Sequence, residues 1–262
     1  MKDRKGWNNK QFTLAAAIFI TFLFILPALS AASTRTERVT FQRSIVDYRP
    51  RLNPRYKKVE RKKTNYIVVH TSELGLKTTL RVVSKGKRFR NGRRTDGGHT
   101  HYVIARNGRT YRIMNKSYVA DHAGRSMWNG QTDLSKISIG IELVGYHYAP
   151  ISDKQYRSAG LLIDILQNVY NLDDRAVLTH SQVAYGTPNR WFRKNHRGRK
   201  RCAKNFIRAK AGLGSSWRYD PDVNAGRLTA DAQLADVFYS QRSIDTQSDE
   251  ANIISKLNTA WV

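Results

Sequence analysis

The sequence predicts an α/β (α+β) domain, a central mixed β-sheet flanked by helices, and three observations support that class. Short runs rich in apolar and β-branched residues recur at 66–69 (YIVV), 137–144 (ISIGIELV) and 176–179 (AVLT). Segment 152–170 places Tyr156, Ala159, Ile163, Leu166 and Tyr170 at helical spacing. Between YVIAR and TYRI stands Asn107-Gly108, a strong short-range hairpin signal. Strands interleaved with helices give layered α/β architectures.

Taken in chain order, residues 1–30 come first. Lys2, Arg4, Lys5 and Lys10 precede the apolar run 12–29, and the small residues Ser30-Ala31-Ala32-Ser33 follow it. That is the layout of a signal peptide, and the run, long for one, is close to the length of an N-terminal membrane anchor, the alternative reading. Either reading exports the remainder to the periplasm or cell envelope, the second holding it at the inner membrane. No cysteine stands directly after the run, which argues against a lipoprotein. Residues 31–64 are polar and basic with two prolines, and read as a linker.

The domain proper is expected over 65–228. Its first strand ends at His70, and the basic segment 77–94 reads as a short helix leading into a Gly-rich loop at 91–98. The hairpin 101–113 and the strand 137–144 come next. Ser152 and Gln155 have capping-box spacing at the start of the long helix, and Asn171 suits its end. A strand at 176–179 then ends at His180, followed by the densest basic run, 190–201. The C-terminal tail, 229–262, is expected to be part helical over 229–240.

Composition limits the function. A chain of 262 residues fits one domain with extensions. Its single cysteine excludes a disulfide framework and a Cys-rich zinc finger. The formal net charge of +26 calls for an anionic partner: nucleic acid, a membrane surface, or a carboxylate-rich wall polymer. Export argues against a specific nucleic acid and favours anionic envelope surfaces.

Two segments share a pattern, Val69-His70-Thr71-Ser72 and Thr179-His180-Ser181: a short strand, then histidine, then a hydroxyl residue. Sites in such sheets form beyond the carboxyl ends of strands, so adjacent parallel strands would bring both imidazoles to one metal. Otherwise they are unrelated histidines with backbone partners. In the strand 137–144 the two-residue period puts Gly140, Glu142 and Val144 on one face. There Glu142 belongs either to a solvated face or to a site, with Gly140 leaving room for a ligand. Asp220, before Pro221, is either an ordinary turn residue or a carboxylate completing a His₂Asp zinc site with one position open.

These residues occur within VVHTS, HYVIARNGRTYRI, ADHAG (Ala120 to Gly124), SIGIELVG and LTHSQVAYG, in that order. The set resembles the amidase-2 family of zinc-dependent N-acetylmuramoyl-L-alanine amidases, related to phage-type lysozyme amidases and peptidoglycan recognition proteins. The resemblance runs from about Asn65 to Asp220. It implies a single amidase-like domain that holds Zn²⁺ and cleaves the amide joining N-acetylmuramic acid to L-alanine in peptidoglycan. His70, His180 and Asp220 match its metal ligands, and Glu142 its catalytic acid/base. Arg218, two before Asp220, falls where catalytic members carry lysine; always protonated, it could stabilise an oxyanion but not donate a tuned proton. His122 matches a cleft residue near substrate, and Thr100 a position that is tyrosine in phage-type members. The spacer between His180 and Asp220 is far longer than the family's. It contains His196 and Cys202, either of which could replace Asp220 as the third ligand. Some relatives keep the fold and bind peptidoglycan without cutting it, which is the alternative function.

Overall fold

The computed structural model describes residues 33–240. The apolar run 12–29 and the chain beyond Ser240 lie outside the described residues. Eight strands and six α-helices occur in the order α1 (Arg35–Ser44), β1 (Val46–Asp47), β2 (Tyr66–Thr71), α2 (Leu76–Lys85), β3 (Tyr102–Ile104), β4 (Thr110–Arg112), β5 (Met127–Trp128), β6 (Gln131–Thr132), β7 (Ser138–Leu143), α3 (Asp153–Tyr170), β8 (Val177–Thr179), α4 (His180–Val183), α5 (Pro221–Asn224) and α6 (Ala232–Tyr239). Among these helices none is long and apolar enough to cross a membrane.

Six strands form one mixed sheet in the order β1-β4-β3-β7-β2-β8, and β5 and β6 pair separately. The centre is parallel: β2 runs between β7 and β8 in the direction of both, and β3 is parallel to β7. β4 turns back antiparallel to β3, and β1 runs parallel to β4 at the edge. Parallel strands require crossovers, and α3 supplies the one that carries the chain from β7 across β2 to β8.

The sheet is covered on both faces, so its central strands are apolar on both sides. On one face Ile67, Val69, Ile139, Ile141 and Leu143 pack with Tyr156, Ala159, Leu162 and Ile163 of α3. Tyr66 and Val68 of β2 and Leu178 of β8 point the other way, to Trp128, Leu134 and Val183. α3 starts with the expected capping box, Ser152 Oγ accepting from the Gln155 N–H and the Gln155 side chain from the Ser152 N–H. It ends at Asn171 in the left-handed region. Gln155 also donates to the carbonyls of Ile104 and Val144, fastening the helix to two strand ends.

The hairpin forms with a different turn from the simplest Asn-Gly type. Gly108 alone takes a positive φ (85°), and its N–H donates to the Ala105 carbonyl. This is a three-residue loop with glycine in the left-handed position, and the Asn107 side chain accepts from the Arg109 N–H.

Residues 31–64 are not a linker where they are described. Thr34 and Glu37 form a capping box on α1, Phe41 is buried in the α3-facing core, and β1 adds an edge strand. Arg61 is buried, donating to the Ser138 carbonyl and meeting His101 Nε2 at 3.1 Å. The domain likewise continues past Leu228: Asp231 caps α6, Leu234 is buried, and Tyr239 packs on the Trp128 cluster.

Candidate metal centre and cleft

Strand register builds the centre. β2 and β7 pair with His70 opposite Glu142, while β2 and β8 pair with Val69 opposite Thr179, so His180 is the next residue along. Three side chains therefore emerge in a row at the carboxyl edge of three adjacent parallel strands, where α/β sheets place their ligands. His180 opens α4, whose capping box on Thr179 and Gln182 fixes the turn from strand to helix.

His70 Nδ1 lies 3.1 Å from His180 Nδ1 and 3.7 Å from the Cys202 Sγ. Among the described residues this His70–His180–Cys202 trio is the one group of three whose donor atoms all fall within 4.8 Å. The remote nitrogens are occupied. His180 Nε2–H donates to the Ala123 carbonyl at 3.1 Å, which leaves Nδ1 bare. Ser138 Oγ–H donates to the Leu134 carbonyl, so toward His122 Nε2, 3.2 Å away, it can only accept. His122 Nδ1 must then accept from His70 Nε2–H across 3.0 Å, which leaves His70 Nδ1 bare as well. One hydroxyl proton on Ser138 thus sets the tautomer of two imidazoles.

Electrostatics agree with neutral ligands. Burial, then the neighbouring His180 and His122, hold His70 well below the ordinary histidine range. Burial, then the positive charge of Lys200, bring His180 down to about 4. The Cys202 thiol is pushed up, first by burial and then by the charge of Glu142, and it exchanges hydrogen bonds with the Thr71 backbone. Two bare imidazole nitrogens and one sulfur, with their outer atoms held by the fold, suit a borderline-soft divalent ion such as Zn²⁺ and leave room for an open position. Glu142 stands beside them, Oε1 at 4.0 Å from His70 Nδ1 and Oε2 buried without a partner. Burial, then the charge of Glu73, raise its carboxyl to about 8.

The centre lies in a cleft of about 660 Å³. Its walls include Glu73, His147, Lys87 and the consecutive Arg199, Lys200 and Arg201. Glu73 is held in the left-handed region (φ 55°) by bonds from Thr71 Oγ1 and the His147 N–H, and pairs with His147 Nδ1 at 2.9 Å.

The expected His₂Asp set is corrected at its third member. Asp220 faces a separate cavity of about 250 Å³ beside α6. Its carboxylate is engaged by Arg197 at 2.6 and 3.1 Å and by the Asp222 and Val223 N–H groups, capping α5. Arg218 is exposed and does not line the cleft. With Cys202 in the third place, the residue two before it is Lys200, which does face the cleft. A lysine thus occupies the position where the resemblance expects one, and the pattern Lys-x-Cys is the signal that would have found it. His196 is also outside the centre, stacked on Phe192 with centroids 3.9 Å apart.

Two expected substrate contacts are reassigned. Thr100 is fully buried, its hydroxyl donating to the Gly140 carbonyl at 2.9 Å. His122 reaches the cleft edge, but both its nitrogens are committed to His70 and Ser138, so it orients the His70 ring. Gly140 makes space for that ring and not for substrate, since a Cβ there would lie 2.6 Å from His122 Cγ. Gly140→Ala is accordingly expected to lower stability by about 1–3 kcal/mol through overpacking. It should also weaken zinc binding about 10–100-fold by displacing His122. Urea unfolding and competition with a chromophoric chelator measure the two effects separately.

The chain is similar to several known proteins. The family model described as N-acetylmuramoyl-L-alanine amidase matches residues 60–202, ending at Cys202. The 1,6-anhydro-N-acetylmuramyl-L-alanine amidase AmpD of Haemophilus influenzae is 37% identical over 70 residues, which span 27% of this chain and 38% of that relative. Among solved structures, AmpDh3 from Pseudomonas aeruginosa in complex with anhydromuramic pentapeptide shares 18% identity over 77% of each chain, with a TM-score of 0.46. AmiD from E. coli, solved with anhydro-N-acetylmuramic acid-L-Ala-D-gamma-Glu-L-Lys, shares 20% over 77% of this chain and 81% of its own, with a TM-score of 0.41. The family match covers more than half of the 262 residues, and the chain belongs to the amidase-2 family of N-acetylmuramoyl-L-alanine amidases.

Proposed function

We propose that this chain is a zinc-dependent hydrolase of the bacterial envelope that cleaves the amide between N-acetylmuramic acid and L-alanine of peptidoglycan. The observation that carries the reading is the convergence of His70, His180 and Cys202 at the floor of a cleft that also presents Glu142 and Lys200. Family membership supports the bond assigned. The basic N-terminus and the apolar run 12–29 support export to the periplasm or envelope.

His70, His180 and Cys202 would hold the ion through Nδ1, Nδ1 and Sγ. Zinc, when bound, polarises a carbonyl and acidifies water. Glu142, on the same strand edge, accepts the proton of the attacking water and returns it to the leaving alanine nitrogen. Its carboxyl is free to do so, with Oε2 lacking a hydrogen-bond partner and Oε1 no nearer than 4.0 Å to His70 Nδ1. The Lys200 ammonium stabilises the negative charge developing on the carbonyl oxygen. Arg199 and Lys87 give the cleft flanks that attract stem-peptide carboxylates.

Mass spectrometry of purified peptidoglycan incubated with the protein tests this. Free stem peptides beside intact glycan, lost with a chelator and restored by zinc, are expected. Binding without release would make the chain a non-catalytic peptidoglycan-binding module.

A further inference from the structure

The basic run 190–201 contributes its end, Arg199 to Arg201, to the cleft; its beginning does something else. Gly186 and His196 exchange backbone hydrogen bonds at 2.8 and 3.1 Å, closing an antiparallel loop whose tip is 189–194. The tip is tightly organised. Asn189 Oδ1 accepts from the N–H groups of Trp191 and Phe192, and the Asn189 N–H donates to the Phe192 carbonyl. Phe192 stacks on His196 with ring planes 8° apart, stiffening the base. Gly186 admits that stack, since a Cβ there would lie 2.5 Å from the His196 ring.

This turn holds Trp191 outward. At 74% exposure it is the most exposed large apolar side chain among the described residues. Arg190 lies over its indole at 4.4 Å, and Arg193 and Lys194 flank it. All three cations are exposed, and none makes an ion pair among the described residues. Between Asp174 and Asp220 the chain has no acidic residue at all. A merely solvated face mixes its signs, whereas this stretch has one sign surrounding a projecting indole.

We infer that the 189–194 tip is a docking element for an anionic phospholipid surface, Trp191 entering the headgroup region while Arg190, Arg193 and Lys194 meet lipid phosphates. Indoles favour the membrane–water interface because one part of the ring system is apolar and the other donates a hydrogen bond. Adjacent cations add attraction to anionic lipid. This docking does not depend on the hydrolytic reading, and either can fail alone.

The experiment uses residues 33–262, which omit the apolar run and keep every residue of the three core clusters found among the described residues; a cooperative melt of this piece is the first reading taken. Co-sedimentation is measured with vesicles of phosphatidylcholine alone and with added phosphatidylglycerol. Arg190→Gln/Arg193→Gln/Lys194→Gln is expected to weaken binding to the anionic vesicles about 100-fold, and Trp191→Ala about 10-fold. Removing equal charge elsewhere, with Lys57→Gln/Lys62→Gln/Lys63→Gln, should weaken it less than about 3-fold. All variants should melt at the wild-type temperature. Equal losses from the two triple variants, or no loss with Trp191→Ala, would overturn the proposal. So would variants that keep vesicle binding but lose binding to intact sacculi, which would assign the tip to wall glycan.

Discussion

Cys202→Ala is expected to abolish zinc binding while leaving the fold intact, and Asp220→Asn to do the reverse. The two residues occupy opposite kinds of site. Cys202 Sγ joins His70 Nδ1 and His180 Nδ1 at the sheet edge, where removing it leaves two imidazoles and no third donor. The loss of affinity should exceed the roughly 10–100-fold that disturbing a mere supporting group costs. Asp220 instead neutralises Arg197, whose side chain is 3% exposed and also bonds Asp222 and the carbonyls of Met127 and Val183. Taking one carboxylate from that buried network strands part of a positive charge, a loss of about 3–5 kcal/mol. Zinc content of the purified proteins and urea unfolding in chelator separate the effects. Zinc retained in Cys202→Ala and lost in Asp220→Asn would restore the carboxylate as ligand.

Why the sequence alone does not choose between Cys202 and Asp220 follows from how each is held. The strands that carry His70, Glu142 and His180 are continuous apolar runs, and α3 has both periodicity and caps, so local signals suffice for them. Parallel register then brings the three residues together without further information. Nothing local distinguishes Asp220 as a ligand from Asp220 as a helix cap before Pro221. That distinction depends on Arg197, which reaches it only once the long insertion has folded back. The same insertion returns Cys202 to the Thr71 backbone. Residues 34–64 escaped for another reason. α1 buries only Phe41 and β1 is two residues long, too little apolar pattern to stand out from a basic linker. Gly140 was legible as a gap, but what fills it, His122, is visible only in three dimensions.

Glu142→Gln is expected to keep zinc and lose turnover, because the amide preserves the shape of the carboxyl without its capacity to take and return a proton. General acid–base contributions of this kind are typically about 10²–10⁴-fold in rate. The same substitution should alter the pH dependence of stability in the metal-free protein. Burial and Glu73 raise the Glu142 carboxyl to about 8, above its ordinary value of 4.5. Between those pH values the folded chain holds a proton that the unfolded chain has released, so stability falls as pH rises, by about 1.4 kcal/mol per unit in that window. His70, His122 and His180 act oppositely. Their folded values lie below 6.5, so acidification under 6.5 protonates the unfolded chain first and destabilises the fold. Metal-free wild type should therefore be most stable near pH 6.5 and decline toward pH 8. Glu142→Gln should keep the acid-side loss and lose the alkaline one. Urea unfolding between pH 5 and 8.5 in chelator measures this, and an unchanged alkaline decline in the variant would show that Glu142 is ionised in the metal-free fold. His70 Nδ1 lies 4.0 Å from Glu142 Oε1, so Zn²⁺ held at that nitrogen would add a positive charge beside the carboxyl and favour its ionised form, the one that can act as a base.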